Sequence, residues 1–122
     1  MTEQTSDPVE RLRRLCLALP EATERLSHGE PAWFTGRAPM FVMAARHHHD
    51  DRLAFWCAAP PGAAEALVAE RPDRFFIPPY VGHRGWLGYR LDLPEVDWDE
   101  VAELVSDAYR HVAPARLRDA SG

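Results

Sequence analysis

The sequence contains no lysine, so all 14 of its basic residues are arginines. Aspartate and glutamate outnumber them at 19, which gives a formal net charge of −5 at pH 7. A chain with this balance repels polyanions as a whole. Because arginine contacts phosphate and carboxylate groups through paired, planar hydrogen bonds, one face can still be locally basic and bind an anion. The segment 71–90, with arginines at 71, 74, 84 and 90 and a single aspartate, is such a region.

Long apolar runs are also missing. No stretch approaches the ~18 apolar residues that a membrane-spanning helix needs, so we expect no membrane partner. Residues 1–7 are polar and acidic, unlike a secretory signal, which predicts a cytoplasmic protein. The two cysteines, Cys16 and Cys57, lie in apolar stretches and outside any C-x-x-C pair. We interpret them as buried free thiols rather than as a disulfide or a reactive pair.

Little in the sequence indicates catalysis. It lacks a P-loop, a G-x-G-x-x-G fingerprint and a G-x-S-x-G turn, so we predict no cofactor and no catalytic residue, and enzyme activity is left open. Ser27 and His28 are neighbours, but adjacent residues seldom adopt the geometry of a catalytic Ser–His pair. The run His47-His48-His49-Asp50-Asp51 has metal-binding atoms. Adjacent side chains in a turn point apart, whereas zinc needs four converging ligands, so we predict a solvated loop and no metal site.

The length predicts one domain over residues 1–122, with residues 1–6 and 115–122 frayed. Helices are expected where a cap, an apolar stripe and a proline break follow one another. For the last helix, Asp97 is the predicted cap and Glu100 completes a capping box. The three predicted helices run between Asp7 and Pro20, from about Ala63 to Glu70, and between Asp97 and Pro114.

Five short strands are predicted from apolar and aromatic runs bounded by turn residues: Trp33–Thr35, Met40–Met43, Leu53–Cys57, Phe75–Ile77 and Trp86–Leu91. The stretch around Gly29 and Pro31 is interpreted as a linker. The predicted order is therefore α-βββ-α-ββ-α. Short links between strands require antiparallel pairing, and the apolar stripes of the helices need a sheet to cover. We predict an α+β fold, a two-layer sandwich of an antiparallel sheet and helices.

The densest group of chemically versatile residues is the run Pro78–Trp86. Its two glycines permit a tight turn. Arg84 and His83 suit a phosphate or carboxylate, and Tyr80 or Trp86 could stack on a base or ring. The alternative is a structural turn whose aromatic side chains cover the core of the sheet.

Several segments resemble the MmcQ/YjbR family: Leu19–Thr23, Gly29–Phe34, Met40-Phe41, Pro79–Trp86 and Val96–Val101. The resemblance extends over about residues 8–117, and its most specific part is the P-Y-x-G-x-R-G-W block. It implies a compact α+β fold similar to frataxin-like or secretion-chaperone-like sandwiches. It also implies DNA binding through a double-wing motif. The sequence departs from the family pattern at His83, where lysine is common.

Three functions are left open by the sequence. The first is weak, phosphate-directed and salt-sensitive DNA binding, with the Arg37 turn and the Arg84 loop as two wings. The second is binding of a small anionic ligand, or an unrecognised enzyme activity, at the Tyr80–Trp86 loop. The third is a protein-interaction module. The residues predicted to bind a ligand or nucleic acid are Arg37, Arg74, Tyr80, His83, Arg84, Trp86 and Arg90.

Overall fold

The computed structural model describes residues 7–46 and 53–120. In these ranges the helices are α1 (Pro8–Leu17), α2 (Ala63–Glu70), α3 (Trp98–Val112) and α4 (Ala115–Ala120). The strands are β1 (Ala22–Ser27), β2 (Glu30–Thr35), β3 (Met40–Arg46), β4 (Leu53–Cys57), β5 (Phe75–Phe76) and β6 (Leu87–Arg90). One turn of 3-10 helix, Gly82–Arg84, lies between β5 and β6.

The six strands form one sheet in the order β1-β2-β3-β4-β6-β5. All neighbours pair antiparallel, and β6 lies between β4 and β5. Strands β1 to β4 follow one another in the sheet because short links favour adjacent antiparallel pairing. The predicted α+β class and antiparallel sheet are confirmed.

Helices α1 and α3 pack together, and α3 covers one face of the sheet. The rings of Phe41 and Tyr109 meet edge to face, with centroids 5.4 Å apart. The Tyr109 hydroxyl donates to the Pro20 carbonyl at 2.6 Å, which ties α3 to the chain that follows α1. Near the start of α3, Glu100 accepts a hydrogen bond of 3.3 Å from the hydroxyl of Tyr89 in β6. The core between the helices and the sheet therefore lies on the face of the sheet that α3 covers.

The opposite face can be identified from the alternation of side chains along the strands. Phe55 pairs with Tyr89 across β4 and β6, and their rings are in contact, so both face α3. The next residue, Trp56, points to the other face, as does its partner Met43 on β3. Trp56 and Met43 are nevertheless each only 4% exposed. The segment between β5 and β6 crosses this face and helps to bury them.

The sequence prediction misses β1 because it assigns those residues to a linker. β1 pairs with β2 over six residues, from Ala22↔Thr35 to Ser27↔Glu30. It is an edge strand and none of its residues is fully buried. Its sequence therefore shows no apolar alternation, which is the signal that identifies a half-buried strand. Pro31, expected in the linker, lies inside β2.

The C-terminal segment is also more ordered than predicted, because α4 forms where a frayed end was expected. Leu117 is 3% exposed and belongs to the main core. Arg116 holds Glu21 through two hydrogen bonds of 2.9 and 3.2 Å. These contacts are with residues far away in the sequence, so local composition could not indicate them. The ends of the predicted strands shift as well, and Ile77 and Trp86 lie outside the sheet.

The two cysteines behave as the sequence predicts, since both are buried free thiols. Burial raises the pKa of the Cys57 thiol to about 12. Burial also raises the pKa of Cys16 well above its usual range. Both thiols are therefore protonated and unreactive in the folded protein at neutral pH.

Two other predictions concern the membrane and the histidine run. Among the residues that the structure describes, no helix is both long and apolar enough to cross a bilayer. The run from His47 to Asp51 lies outside the described residues.

Candidate functional site

A cleft of about 560 Å³ opens on the sheet face that points away from α3. Its floor is formed by β3 and β4. Its walls are the segment between β5 and β6 and the turn between β1 and β2. Small-molecule sites typically enclose about 300–1,000 Å³, so the cleft has a suitable size. The lining residues are Ser27, His28, Met40, Met43, Trp56, Tyr80, Val81 and Arg84.

The floor of the cleft is apolar and made of adaptable side chains. Met43 and Trp56 are partners across β3 and β4, and both are buried. Met40, at the start of β3, is half-buried beside them. Methionine is flexible and its sulfur is polarizable, so it fits irregular surfaces and makes favourable contacts with aromatic rings. The floor therefore suits an apolar or aromatic ligand.

A half-buried aromatic ring, that of Phe76, lies beside the floor on the side of β5. Gly88 is the partner of both Trp56 and Phe76 in the sheet. A Cβ atom on Gly88 would collide with the Phe76 ring. The ring therefore lies directly on the backbone at Gly88, on the same face as Trp56, which is a recurrent reason for glycine inside a strand. It adds an apolar group beside Trp56 on this face.

The wall of the cleft contains a strained turn at Tyr80. The Val81 N–H donates to the Pro79 carbonyl at 2.7 Å, and Tyr80 between them has φ 67°. A three-residue turn with positive φ is rare, and a bulky residue in such a conformation costs about 1–3 kcal/mol. The Tyr80 side chain is 69% exposed and lines the cleft. Strain of this kind is concentrated at functional sites, so this turn is the feature of the segment that most favours a binding role.

The opposite rim is formed by the turn between β1 and β2. His28 has φ 53° and Gly29 has φ 81°. They are the two central residues of a hairpin in which Ser27 pairs with Glu30. Two-residue hairpin turns favour positive φ at both central positions, so the hairpin itself accounts for the backbone of His28. The turn brings the Ser27–His28 pair to the cleft, where the two residues are part of the rim.

Among the described residues that line the cleft, Arg84 is the arginine. It is exposed at the end of the 3-10 turn, and Gly85 with φ 85° follows it. Its guanidinium lies 5.9 Å from the centroid of the Trp86 ring, and Trp86 is buried. Among the residues whose side chains the structure describes, no carboxylate lies within ion-pair distance of Arg84. The guanidinium makes a cation–π contact with this ring, and such a contact does not use the N–H groups that could bind a ligand.

Comparisons with known proteins agree with this fold. The YjbR family model matches residues 17–111. The chain belongs to the YjbR family. Its structure is similar to the crystal structure of the Deinococcus radiodurans protein DR2400, which contains a DUF419 domain. The TM-score is 0.72 at 19% identity, and the alignment covers 93% of this chain and 83% of that chain. No curated protein matches the chain.

The residues predicted for the site of this YjbR domain lie in different environments. Tyr80 and Arg84 line the cleft, and Trp86 is buried beneath Arg84. Arg74 donates to the carbonyls of Arg90 and Pro94, both at 3.0 Å.

Of the other three predicted residues, two do not line the cleft, and the side chain of the third is not described. The Arg90 guanidinium donates two hydrogen bonds of 3.1 Å to the Asp92 carboxylate. Arg37 is exposed on the turn between β2 and β3. Of His83 the structure describes the backbone alone. The cleft therefore brings together Tyr80 and Arg84 from the predicted set.

Sequence reasoning missed the floor of the cleft and its far rim. Met43 and Trp56 lie in continuous apolar strands, a pattern that indicates a strand buried on both faces. That signal predicts that something covers the second face of the sheet. It does not indicate that the covering segment leaves a cleft, because this depends on the path of the chain from Phe76 to Leu87.

Proposed function

We propose that this domain binds a small organic anion in the cleft. Arg84 holds the charged group, and the floor of Met43 and Trp56 accepts the apolar part. The observation that carries the proposal is an exposed guanidinium, with no carboxylate partner among the described residues, beside an apolar cleft. Small-molecule sites typically combine apolar walls with a few placed polar groups.

The charge distribution supports a ligand with few charges. Most arginines in the described ranges are already bonded to carboxylates. Arg71, for example, holds Glu100 through bonds of 2.6 and 3.0 Å. The net charge is −5, so the field of the whole protein opposes a highly charged anion. A cleft whose described lining has one available guanidinium therefore suits a ligand with one negative group.

The proposal is tested by titration calorimetry with naphthoate and decanoate at low ionic strength. We expect at least one of these amphipathic anions to bind. A hydrogen bond to a charged group is worth about 1.5–3 kcal/mol, so Arg84→Gln should weaken binding roughly 10- to 150-fold. Arg37→Gln is the matched control, because it removes another exposed arginine outside the cleft. If neither anion binds, or both variants weaken binding equally, the proposal is wrong.

Weak DNA binding is a second candidate, and the position of Arg37 supports it. The registers of β2, β3, β4 and β6 put the Arg37 turn and the segment before β6 at the same end of the sheet. Arg37 is exposed, and like Arg84 it has no carboxylate partner among the described residues. Two such arginines at one end of a sheet could contact neighbouring phosphates. With a net charge of −5, we expect a Kd of roughly micromolar or weaker.

A titration of labelled duplex at two salt concentrations tests this candidate. Each phosphate contact contributes about one unit to the slope of log K against log salt, so Arg37→Gln and Arg84→Gln should each flatten it by that amount. Both variants should also weaken binding to all sequences alike. No binding by the wild-type protein at low salt would exclude DNA as its ligand.

A further inference from the structure

We infer that the ligand of the cleft is a flat aromatic carboxylate. Its ring would lie against Met43 and Trp56, with Tyr80 at its edge or face and its carboxylate on Arg84. The inference rests on the proposed function and adds the chemical class of the ligand. Three features of the cleft support it: the floor, the Tyr80 turn and the geometry of the cation.

The floor favours a ring over a flexible chain. A thioether and an indole line the cleft next to each other, and both make favourable contacts with aromatic rings. A ring also loses no internal rotations when it binds, whereas an alkyl chain loses several. The Phe76 ring lies on the backbone at Gly88, on the same face as Trp56, and adds a further aromatic group beside the floor.

The Tyr80 turn presents a second aromatic group to the same space. Its positive φ is not required by a hairpin, unlike that of His28, and its side chain remains 69% exposed. An exposed tyrosine that lines the same cleft as the apolar floor can stack on a planar ligand. The two prolines before it, Pro78 and Pro79, restrict the backbone that leads into the turn, so the ring is held in place with a small loss of entropy.

The cation favours a carboxylate. A guanidinium pairs with a planar carboxylate through two parallel hydrogen bonds. Its position at 5.9 Å from the Trp86 ring centroid limits the directions from which a ligand can approach. A phosphate monoester carries nearly two negative charges at neutral pH, whereas the described lining of the cleft contains one arginine in a protein of net charge −5.

The inference is tested with four probes: naphthoate, decanoate, naphthamide and naphthyl phosphate. Each of the last three differs from naphthoate either in the apolar part or in the polar group. Calorimetry at one low ionic strength gives the Kd of each. We expect naphthoate to bind most tightly, and stacking contributes roughly a 2- to 12-fold gain. Tyr80→Leu should lose that gain for naphthoate and leave decanoate unchanged, while Tyr80→Phe retains it. Thermal melts of both variants show that the fold is retained.

The outcomes separate the inference from the function on which it rests. Decanoate binding as tightly as naphthoate, or equal loss of both in Tyr80→Leu, overturns the aromatic class and leaves the anion cleft standing. Naphthyl phosphate binding more tightly than naphthoate overturns the carboxylate. Naphthamide binding as tightly as naphthoate overturns the role of the charge and, with it, the proposed function.

Discussion

The two faces of the sheet are covered in different ways. On the helix side Trp33 is fully buried, and its indole N–H donates to Glu24 at 3.0 Å. The same carboxylate accepts two bonds from Arg13 of α1, at 2.9 and 3.1 Å. On the cleft side an irregular segment with a strained turn covers Met43 and leaves a volume of about 560 Å³. Close packing stabilises the first face, whereas incomplete packing provides a binding site on the second.

The largest loss of stability is expected on the helix side. Tyr109→Ala removes a fully buried ring from its contact with Phe41, and such truncations cost about 3–5 kcal/mol. Tyr109→Phe keeps the ring and loses only the bond to Pro20, so about 1 kcal/mol is expected. Urea unfolding measures both. A loss below about 1 kcal/mol for Tyr109→Ala would show that this face does not dominate stability.

On the cleft side, Gly88→Ala should cost less, about 1–3 kcal/mol, because the new Cβ collides with the Phe76 ring and forces it to move. In a Phe76→Leu background the ring is absent, so the same substitution should cost less by at least ~0.5 kcal/mol. A double-mutant cycle by urea unfolding measures this coupling. Additive effects would mean that the Phe76 ring does not lie on Gly88.

The carboxylate of Glu24 should make stability depend on pH. Hydrogen bonds from Arg13, opposed by desolvation and assisted by Trp33, hold the pKa of Glu24 below its ordinary value of 4.5. A group whose pKa is lowered by folding contributes stability above its unfolded pKa and loses it as the pH falls through the folded pKa. Glu24→Gln should therefore flatten the decrease of stability below pH 4.5. Urea unfolding at several acidic pH values measures this slope, and Arg13→Gln should have the same effect.

The smallest effect on stability is expected at the cleft rim. Arg84→Gln changes an exposed side chain with no carboxylate partner in the described ranges, so the free energy of unfolding should change by less than ~0.5 kcal/mol. Its effect should appear in ligand titrations instead. A large loss of stability in urea melts would show that Arg84 is a structural residue and that the cleft side of the sheet is also stabilised by packing.

Local signals were enough to locate the three main helices. Asp7 accepts from the Val9 N–H at 3.0 Å, and Asp97 caps α3 as the sequence predicts. One part of that prediction is wrong in detail, because Glu100 does not complete a capping box. Its carboxylate is held by Arg71, which is 29 residues away. The Glu100 carboxylate therefore bonds to an arginine that is distant in the sequence instead of the backbone N–H of Asp97.

The α+β class and the antiparallel sheet could be predicted from the sequence, because they depend on patterns within a few residues: caps, apolar runs and short links between strands. The family could be predicted as well, through the motifs that resemble it, above all the block Pro79–Trp86. Which arginines are available to a ligand depends on the tertiary structure. Arg74 and Arg84 look equivalent in the sequence, but Arg74 donates to carbonyls 16 and 20 residues away, while Arg84 lines a cleft. Side-chain partners depend on which distant segments the sheet brings together, and no local pattern specifies that.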